Sequence, residues 1–342
     1  MKVGTLCYAC DSGLGRLAYS FYQHGVVTNP IVVRHGVHHT YKEWYPSAYQ
    51  ISSMKSMSQL REVEELCKQC DIMLFFETPF HWSLIEFCRL HGIKTVLMTM
   101  YECTHRHPPA VPDMYLCPSK LDYDVFSTSY PKPTSTRVEY LPVPVETEWR
   151  LRTKAKTFIH NAGHGGLKGR NGTAELISAL KYVESPIDFI LRSQVPIIQL
   201  VTGYPEIPDN VKFKYHPGTV SDDQLFNEGD VFVFPEKFNG LSLPLQEARA
   251  AGMLVMGSNR YPMNEWLPEE SLIKVSETKK SSIGSGYLLF DEAIISPLSI
   301  ASKIDQWYDK DITDYSTQGK LWAETMSWRV LKSQYLQLLE SL

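Results

Sequence analysis

Long apolar runs are the first thing this 342-residue chain lacks: no stretch approaches the roughly 20 apolar residues that a membrane-spanning helix needs. The short apolar run over 3–9 meets Asp11 and has no basic region of any length before it, so a secretory signal is not expected and a cytoplasmic location is. A dominant charge is missing too. The formal net charge is −4, with 43% hydrophobic and 21% charged residues, the balance of an ordinary globular protein. Acidic residues are scarce in one place. Over residues 1–61, Lys2, Arg16, Arg34, Lys42, Lys55 and Arg61 face only Asp11 and Glu43, and His24, His35, His38 and His39 share the segment. That excess reads either as a solvated face or as a surface for an anionic partner, nucleic acid or a lipid headgroup, so peripheral membrane contact stays open. Zinc-ribbon spacing is absent as well. Cys7-x-x-Cys10 and Cys67-x-x-Cys70 stand 56 residues apart, and the second pair shares a helical face, so buried reduced thiols are expected and a metal site is not.

What is present is alternation. Apolar strand patterns over 2–8, 31–34, 72–76, 94–99, 114–117 and 137–141 are interleaved with helical patterns over 14–24, 59–69 and 81–91. Strand and helix in turn predict a parallel α/β sheet. Leu141-Pro142-Val143-Pro144-Val145-Glu146 is extended by its prolines and reads as a linker. A second alternating unit follows, with strands over 157–160, 187–191, 211–215, 231–234 and 254–256 and helices over 173–182 and 221–227. The polar stretch over 277–286 is expected to be a mobile loop, and the pattern from Pro297 onward is helical. Val330, Leu331, Tyr335, Leu338, Leu339 and Leu342 form one apolar stripe on the last helix.

The most informative stretch runs over 231–254. Val231-Phe232-Val233-Phe234 suits a strand buried on both faces, and Gly240 allows the chain to turn. Ser242 is placed to cap a helix beginning at Leu243, with Pro244 in its first turn and Gly252 just past its end. Such a helix start at a sheet's carboxyl edge attracts phosphate.

This run is similar to the sugar-nucleotide signature of GT-B glycosyltransferases of the large retaining family (group 1, family 4-like). There Pro-Ser-x-x-Glu-Gly-Phe-Gly-Leu-Pro is followed by x-x-Glu-Ala. Aligned on Pro235, Gly240, Pro244 and Ala248, the second family glutamate falls on Glu247 and the first on Asn239. The resemblance implies that Glu247 holds the ribose hydroxyls of the nucleotide and that Asn239 touches the transferred sugar. Ser327-Trp328-Arg329-Val330 resembles the family's closing Ser-Trp-x-x-Val, and the linker resembles its interdomain hinge. The implied fold is two Rossmann-like α/β domains facing across a cleft, with the C-terminal helix crossing back. Residues 1–145 would form the acceptor domain, 146–325 the nucleotide-sugar donor domain and 326–342 the crossing helix.

Two glycine turns extend the resemblance. Asp11-Ser12-Gly13-Leu14-Gly15-Arg16-Leu17-Ala18 follows the first strand, where family members carry a loop whose amides approach the donor diphosphate. Written as Gly13-x-Gly15-x-x-Ala18 it also fits a dinucleotide fingerprint; with Arg34 ending the second strand, an NADP-dependent oxidoreductase is a rival reading. His160-Asn161-Ala162-Gly163-His164-Gly165-Gly166-Leu167-Lys168-Gly169-Arg170-Asn171-Gly172-Thr173 opens the second half, and its glycines allow close backbone approach while Lys168 and Arg170 can neutralise a diphosphate. It resembles the family's Gly-Arg followed by Lys-Gly, with His164 nearest the family arginine. Tyr215-His216-Pro217-Gly218-Thr219-Val220 stands where a family loop wraps the nucleobase.

The resemblance therefore implies a hexosyltransferase-type enzyme that takes a sugar from a nucleotide-diphosphate sugar, a UDP-sugar by expectation, and retains its configuration without a metal or other cofactor. Lys168, Arg170, Asn239 and Glu102 are the candidate catalytic residues. Gly13, Gly15, Gly163, His164, His216, Gly240, Leu241, Ser242 and Glu247 are the candidate donor contacts. On the acceptor side stand Glu77, His105, His35 and Trp44, with His38, His39, Tyr41 and Tyr45 beside them as an aromatic and imidazole set open to a glycan, a lipid-linked or small molecule, or a nucleobase. A sugar-nucleotide-binding protein without transfer activity is the remaining alternative.

Overall fold

A computed structural model describes all of residues 1–342 except Val37, His38, Ser53, Lys55, Leu167, Lys168, Gly203, Tyr204, Pro205, Asp222 and Asp223. The chain divides into two compact units: residues 1–143, 284–288 and 328–342 form the first, and residues 144–283 and 289–327 the second.

In the first unit seven strands form one parallel sheet in the order β3 (Tyr49–Ile51), β2 (Asn29–Val33), β1 (Val3–Cys7), β4 (Ile72–Phe76), β5 (Lys94–Met98), β6 (Met114–Cys117) and β7 (Arg137–Tyr140). Helices α1 (Gly13–Gln23), α2 (Met57–Cys67), α3 (Ser83–Leu90) and α4 (Lys120–Thr128) connect them. Strands β1 and β4 are buried at every position, as a sheet covered on both faces requires. Each fully buried side chain there, Phe75 for one, contributes about 2 kcal/mol. The seven cysteines are free, and all but Cys103 are buried.

In the second unit five parallel strands take the order β10 (Lys212–Pro217), β9 (Asp188–Ser193), β8 (Thr157–Gly163), β11 (Val231–Phe234) and β12 (Leu254–Gly257). Helices α5 (Thr173–Leu180), α6 (Leu243–Ala250), α7 (Met263–Trp266), α8 (Pro297–Trp307) and α9 (Thr313–Thr325) accompany it. Arg152 is buried in this unit, its guanidinium donating to the carbonyls of Gly229, Arg150, Ala251 and Phe226. The last helix, α10 (Trp328–Glu340), belongs to the first unit. Its Trp328 and Tyr335 rings meet Phe21 of α1 edge-on at 4.8 and 4.9 Å, and the Trp328 indole donates to Ser20.

Several local expectations change. The stretch over 277–286 is not all loop. Its first half is β13 (Glu277–Ser281), paired antiparallel with β14 (Phe290–Ile294), and the ion pairs Lys279–Glu292 and Lys280–Asp291 let a wholly polar segment hold a ladder. No α-helix forms among the described residues of 221–227; the chain turns there, with Gln224 N donating to Ser221 O. Strand β3 and helix α4 are additions to the expected order.

Candidate functional site

An open parallel sheet binds ligands at the carboxyl ends of the strands where the chain's order reverses direction. In the second unit that point lies between β8 and β11, because the chain leaves β8 toward β9 on one side and returns to β11 on the other. Both of the motifs that dominate this half of the sequence, the glycine turn after β8 and the signature run after β11, hang from these two strand ends.

The turn after β8 is wound by left-handed glycines: φ is +55° at Gly163, +83° at Gly165, +71° at Gly166, +64° at Gly169 and +68° at Gly172. Two of these glycines close tight turns, Gly165 N donating to Ala162 O at 2.8 Å and Gly172 N to Gly169 O at 3.1 Å. Gly172 is the position with no tolerance. A Cβ there would stand 2.0 Å from the carbonyl oxygen of Pro235, so the two loops touch backbone to backbone. Lys237 N donates to Arg170 O at 2.6 Å and ties them a second time. Beneath lies His160, fully buried, with Nδ1 donating to Val233 O at 2.7 Å and Nε2 accepting from Thr173 Oγ1 at 2.8 Å. Burial pushes its pKa down to about 4 and keeps the ring neutral. Of the residues expected here, Gly163 and Arg170 are half-buried and His164 is exposed. Lys168 lies outside the described residues.

The turn after β11 is built by side chains. Asn239 Oδ1 accepts from the backbone N–H groups of Leu241 and Ser242 at 3.0 and 3.1 Å, while its Nδ2 donates to Glu236. Ser242 does occupy the position before α6, but with φ +53° and ψ +54° its hydroxyl turns away from the helix and donates to the other Glu236 oxygen. The expected serine cap is thus not formed, because the left-handed backbone points the Ser242 side chain back toward β11, and α6 begins without a side-chain cap hydrogen bond. Glu236, 1% exposed, escaped the sequence reading. Its signal was there: it stands where the family signature has serine. Gly240 and Leu241 are buried in this turn, and Glu247 lies half-buried on α6, with its carbonyl accepting from Thr147 Oγ1 at 3.3 Å.

Lys237 also anchors the turn from outside. Its ammonium lies 3.1 Å from Glu175 of α5 and 3.9 Å from Glu292 of β14, and its carbonyl accepts from Ala293 N. At the ends of β9 and β10 lies a cavity of about 320 Å³ lined by Val195, Pro196, Ile197, Tyr215, Pro217 and Gly218 among others. Tyr215 and Pro217 sit on alternate positions of β10, so His216 faces the other side of the strand. There it lies near Glu228, where burial acts to raise the carboxyl's pKa but is outweighed by the Arg192 guanidinium, with Lys214 and His216 adding to the lowering.

In the first unit the order reverses between β1 and β4, and the loops at those strand ends carry other chemistry. Ser12 Oγ accepts from Gly15 N at 3.0 Å and caps α1. A Cβ on Gly15 would meet Cys10 O at 2.3 Å, whereas Gly13 has open space. Asp11 pairs with Arg16 and accepts from the Tyr41 hydroxyl. Glu77, directly after β4, adopts φ +62°, a conformation that a non-glycine residue holds only at a cost. Tyr8 meets Phe80 at 4.9 Å and His35 at 4.8 Å, and burial, Cys10 and Glu77 together raise its pKa. Trp44 belongs to a second aromatic group, stacked on Tyr19 and Tyr41 with Arg16 over its ring. Glu102 is buried in a single helical turn over Tyr101–Cys103, and His105 lies against Trp82 and Tyr287. Of the expected imidazole and aromatic platform, His35 meets Tyr8 and His39 meets Tyr41, while His38 lies outside the described residues. No described helix is long and apolar enough to cross a membrane, and no group of three metal-ligating side chains occurs among the described residues.

No family model matches the chain, and no curated protein matches it in sequence. Solved structures do. HepE from Anabaena, in complex with UDP-glucose, superposes with a TM-score of 0.65 over 100% of both chains at 12% identity. Sucrose-phosphate synthase from Thermosynechococcus elongatus does so with 0.63 over 100% of this chain and 99% of its own, at 12% identity. A glycosyltransferase from Rickettsia africae ESF-5 gives 0.63 over 99% and 98%, at 13% identity. With its seven-stranded and five-stranded parallel sheets, the chain has the GT-B fold that these glycosyltransferases share.

Proposed function

We propose that this protein is a hexosyltransferase that takes a sugar from a UDP-sugar and passes it, with retention of configuration, to an acceptor held by the first unit. The observation that carries the reading is the joining of two loops at the β8/β11 strand ends, where the Gly172 backbone touches Pro235 and Lys237 binds Arg170 O. The similar HepE was solved with UDP, with UDP and glucose, and with UDP-glucose.

In this reading the diphosphate lies against the glycine turn after β8, and Arg170 with Lys168 neutralises it. Glu247 holds the ribose, Asn239 contacts the sugar, and the cavity beside Tyr215 takes the base. Cleaving the sugar–phosphate bond puts negative charge on the leaving diphosphate and positive charge on the ring. Fixed dipoles and cations aimed at the leaving group stabilise the transition state more than the bound substrate. Glu77, Glu102, His105, His35 and Trp44 are the acceptor-side candidates. The test is incubation with a panel of nucleotide sugars, reading nucleotide release and the melting temperature together. We expect one UDP-sugar to raise the melting temperature by linkage and to be consumed. A chain that responds to none of them is not a glycosyltransferase of this kind.

A second reading, donor binding without transfer, is favoured by one observation: the Asn239 amide oxygen is already engaged by Leu241 and Ser242. Thermal stabilisation by a UDP-sugar with no UDP released in the presence of any acceptor would establish it.

A further inference from the structure

The turn after β11 differs from the family's Pro-Ser-x-x-Glu-Gly-Phe-Gly run at three polar positions: Glu236 for serine, Asn239 for glutamate and Ser242 for glycine. In space these three are one another's partners. Glu236 Oε1 accepts from Asn239 Nδ2 and Oε2 from Ser242 Oγ, while Asn239 Oδ1 accepts from the N–H groups of Leu241 and Ser242. A buried carboxylate that accepts from two side chains at once fixes both. It settles which end of the Asn239 amide faces the backbone, and it holds Ser242 in the left-handed conformation that glycine would adopt freely.

We propose that Glu236 is a positioning residue of the donor site, a carboxylate moved three residues upstream that sets the Asn239 amide and the N–H groups before α6. The proposal rests on the donor-site reading above. It also makes a coupling statement. With Glu236 in place, a glutamate at 239 would set two carboxylates within hydrogen-bonding reach, where like charges repel. With Glu236 removed, a glutamate at 239 regains an acceptor for the N–H groups of Leu241 and Ser242. Asn239→Glu alone should therefore be harmful, and Glu236→Ser should repair it.

The experiment is calorimetric titration with UDP and with UDP-glucose of the full chain and of Glu236→Gln, Asn239→Glu and Glu236→Ser/Asn239→Glu, each checked for folding by its thermal melt. The readout is the ratio of UDP-glucose to UDP affinity, which a purely structural role for Glu236 would leave alone. We expect Asn239→Glu to shift that ratio by about tenfold, the equivalent of one pKa unit of repulsion, with the double variant within about threefold of the unmodified chain and Glu236→Gln between them. A double variant no better than Asn239→Glu, or a Glu236→Gln chain with an unchanged ratio, overturns the proposal and leaves the donor site standing. An unmodified chain that binds neither UDP nor UDP-glucose overturns both.

Discussion

The two sheets reverse direction at corresponding places and fill those places with different materials. At β8/β11 the half of the edge after β8 is backbone: five left-handed glycines, a contact too close for any side chain at Gly172, and a neutral buried imidazole as its floor. At β1/β4 the edge is side chain: Tyr8, Phe80, His35 and a glutamate at φ +62°. Phosphate is recognised by N–H groups, which any sequence with enough glycine can present, whereas an acceptor has to be recognised by side chains particular to it. On the proposed assignment the first edge therefore has a signature that transfers between proteins, and the second does not.

The largest expected effect tests the cationic side of the backbone edge. Arg170→Ala should lower UDP-sugar turnover on the order of 10²- to 10³-fold, the cost of removing a charge-stabilising donor, and combining it with Lys168→Ala should abolish transfer while the melt stays cooperative. Single-turnover rates check this, and an unchanged rate would remove Arg170 from the site.

The floor of the same edge makes a pH statement. His160 titrates near 6.5 when unfolded and at about 4 when folded, so the folded state resists a proton that the unfolded state accepts. Its effect on stability is nil above about pH 6.5 and grows as the pH falls toward 4, a loss of about 2 kcal/mol by pH 5. Urea unfolding at pH 7 and pH 5 should show it, and in His160→Gln the dependence over that window should flatten by the same amount. An equal pH dependence in both chains would show that His160 does not set it.

The smallest effect belongs to the side-chain edge. Glu77→Gly should relieve the left-handed strain and gain up to about 1 kcal/mol in stability, while lowering acceptor-dependent turnover and leaving UDP affinity unchanged. Stability and turnover that move together would mean that Glu77 is there for the fold alone.

The alternation of strand and helix was legible, and so was the convergence of both glycine-bearing runs on strand ends, because burial on both faces leaves uninterrupted apolar strands such as Val231–Phe234 and Ile72–Phe76. What stayed hidden had polar inner faces. Helix α4 buries Asp122, which accepts from Thr99, as well as Phe126, so it carries no apolar stripe. Strand β13 is entirely polar and is held by cross-strand charge. Strand β3 is only three residues long. Glu236 was missed for another reason: its departure from the signature's serine was visible, but only its two partners show what the carboxylate does in the turn.

UDP titration of two variants decides whether the β8/β11 edge of the second unit holds the nucleotide, as proposed. Glu247→Ala should weaken UDP binding by about tenfold, one lost charge-assisted hydrogen-bond pair, and Glu77→Gln should leave it unchanged. Equal weakening by both substitutions, or none by Glu247→Ala, would contradict the account.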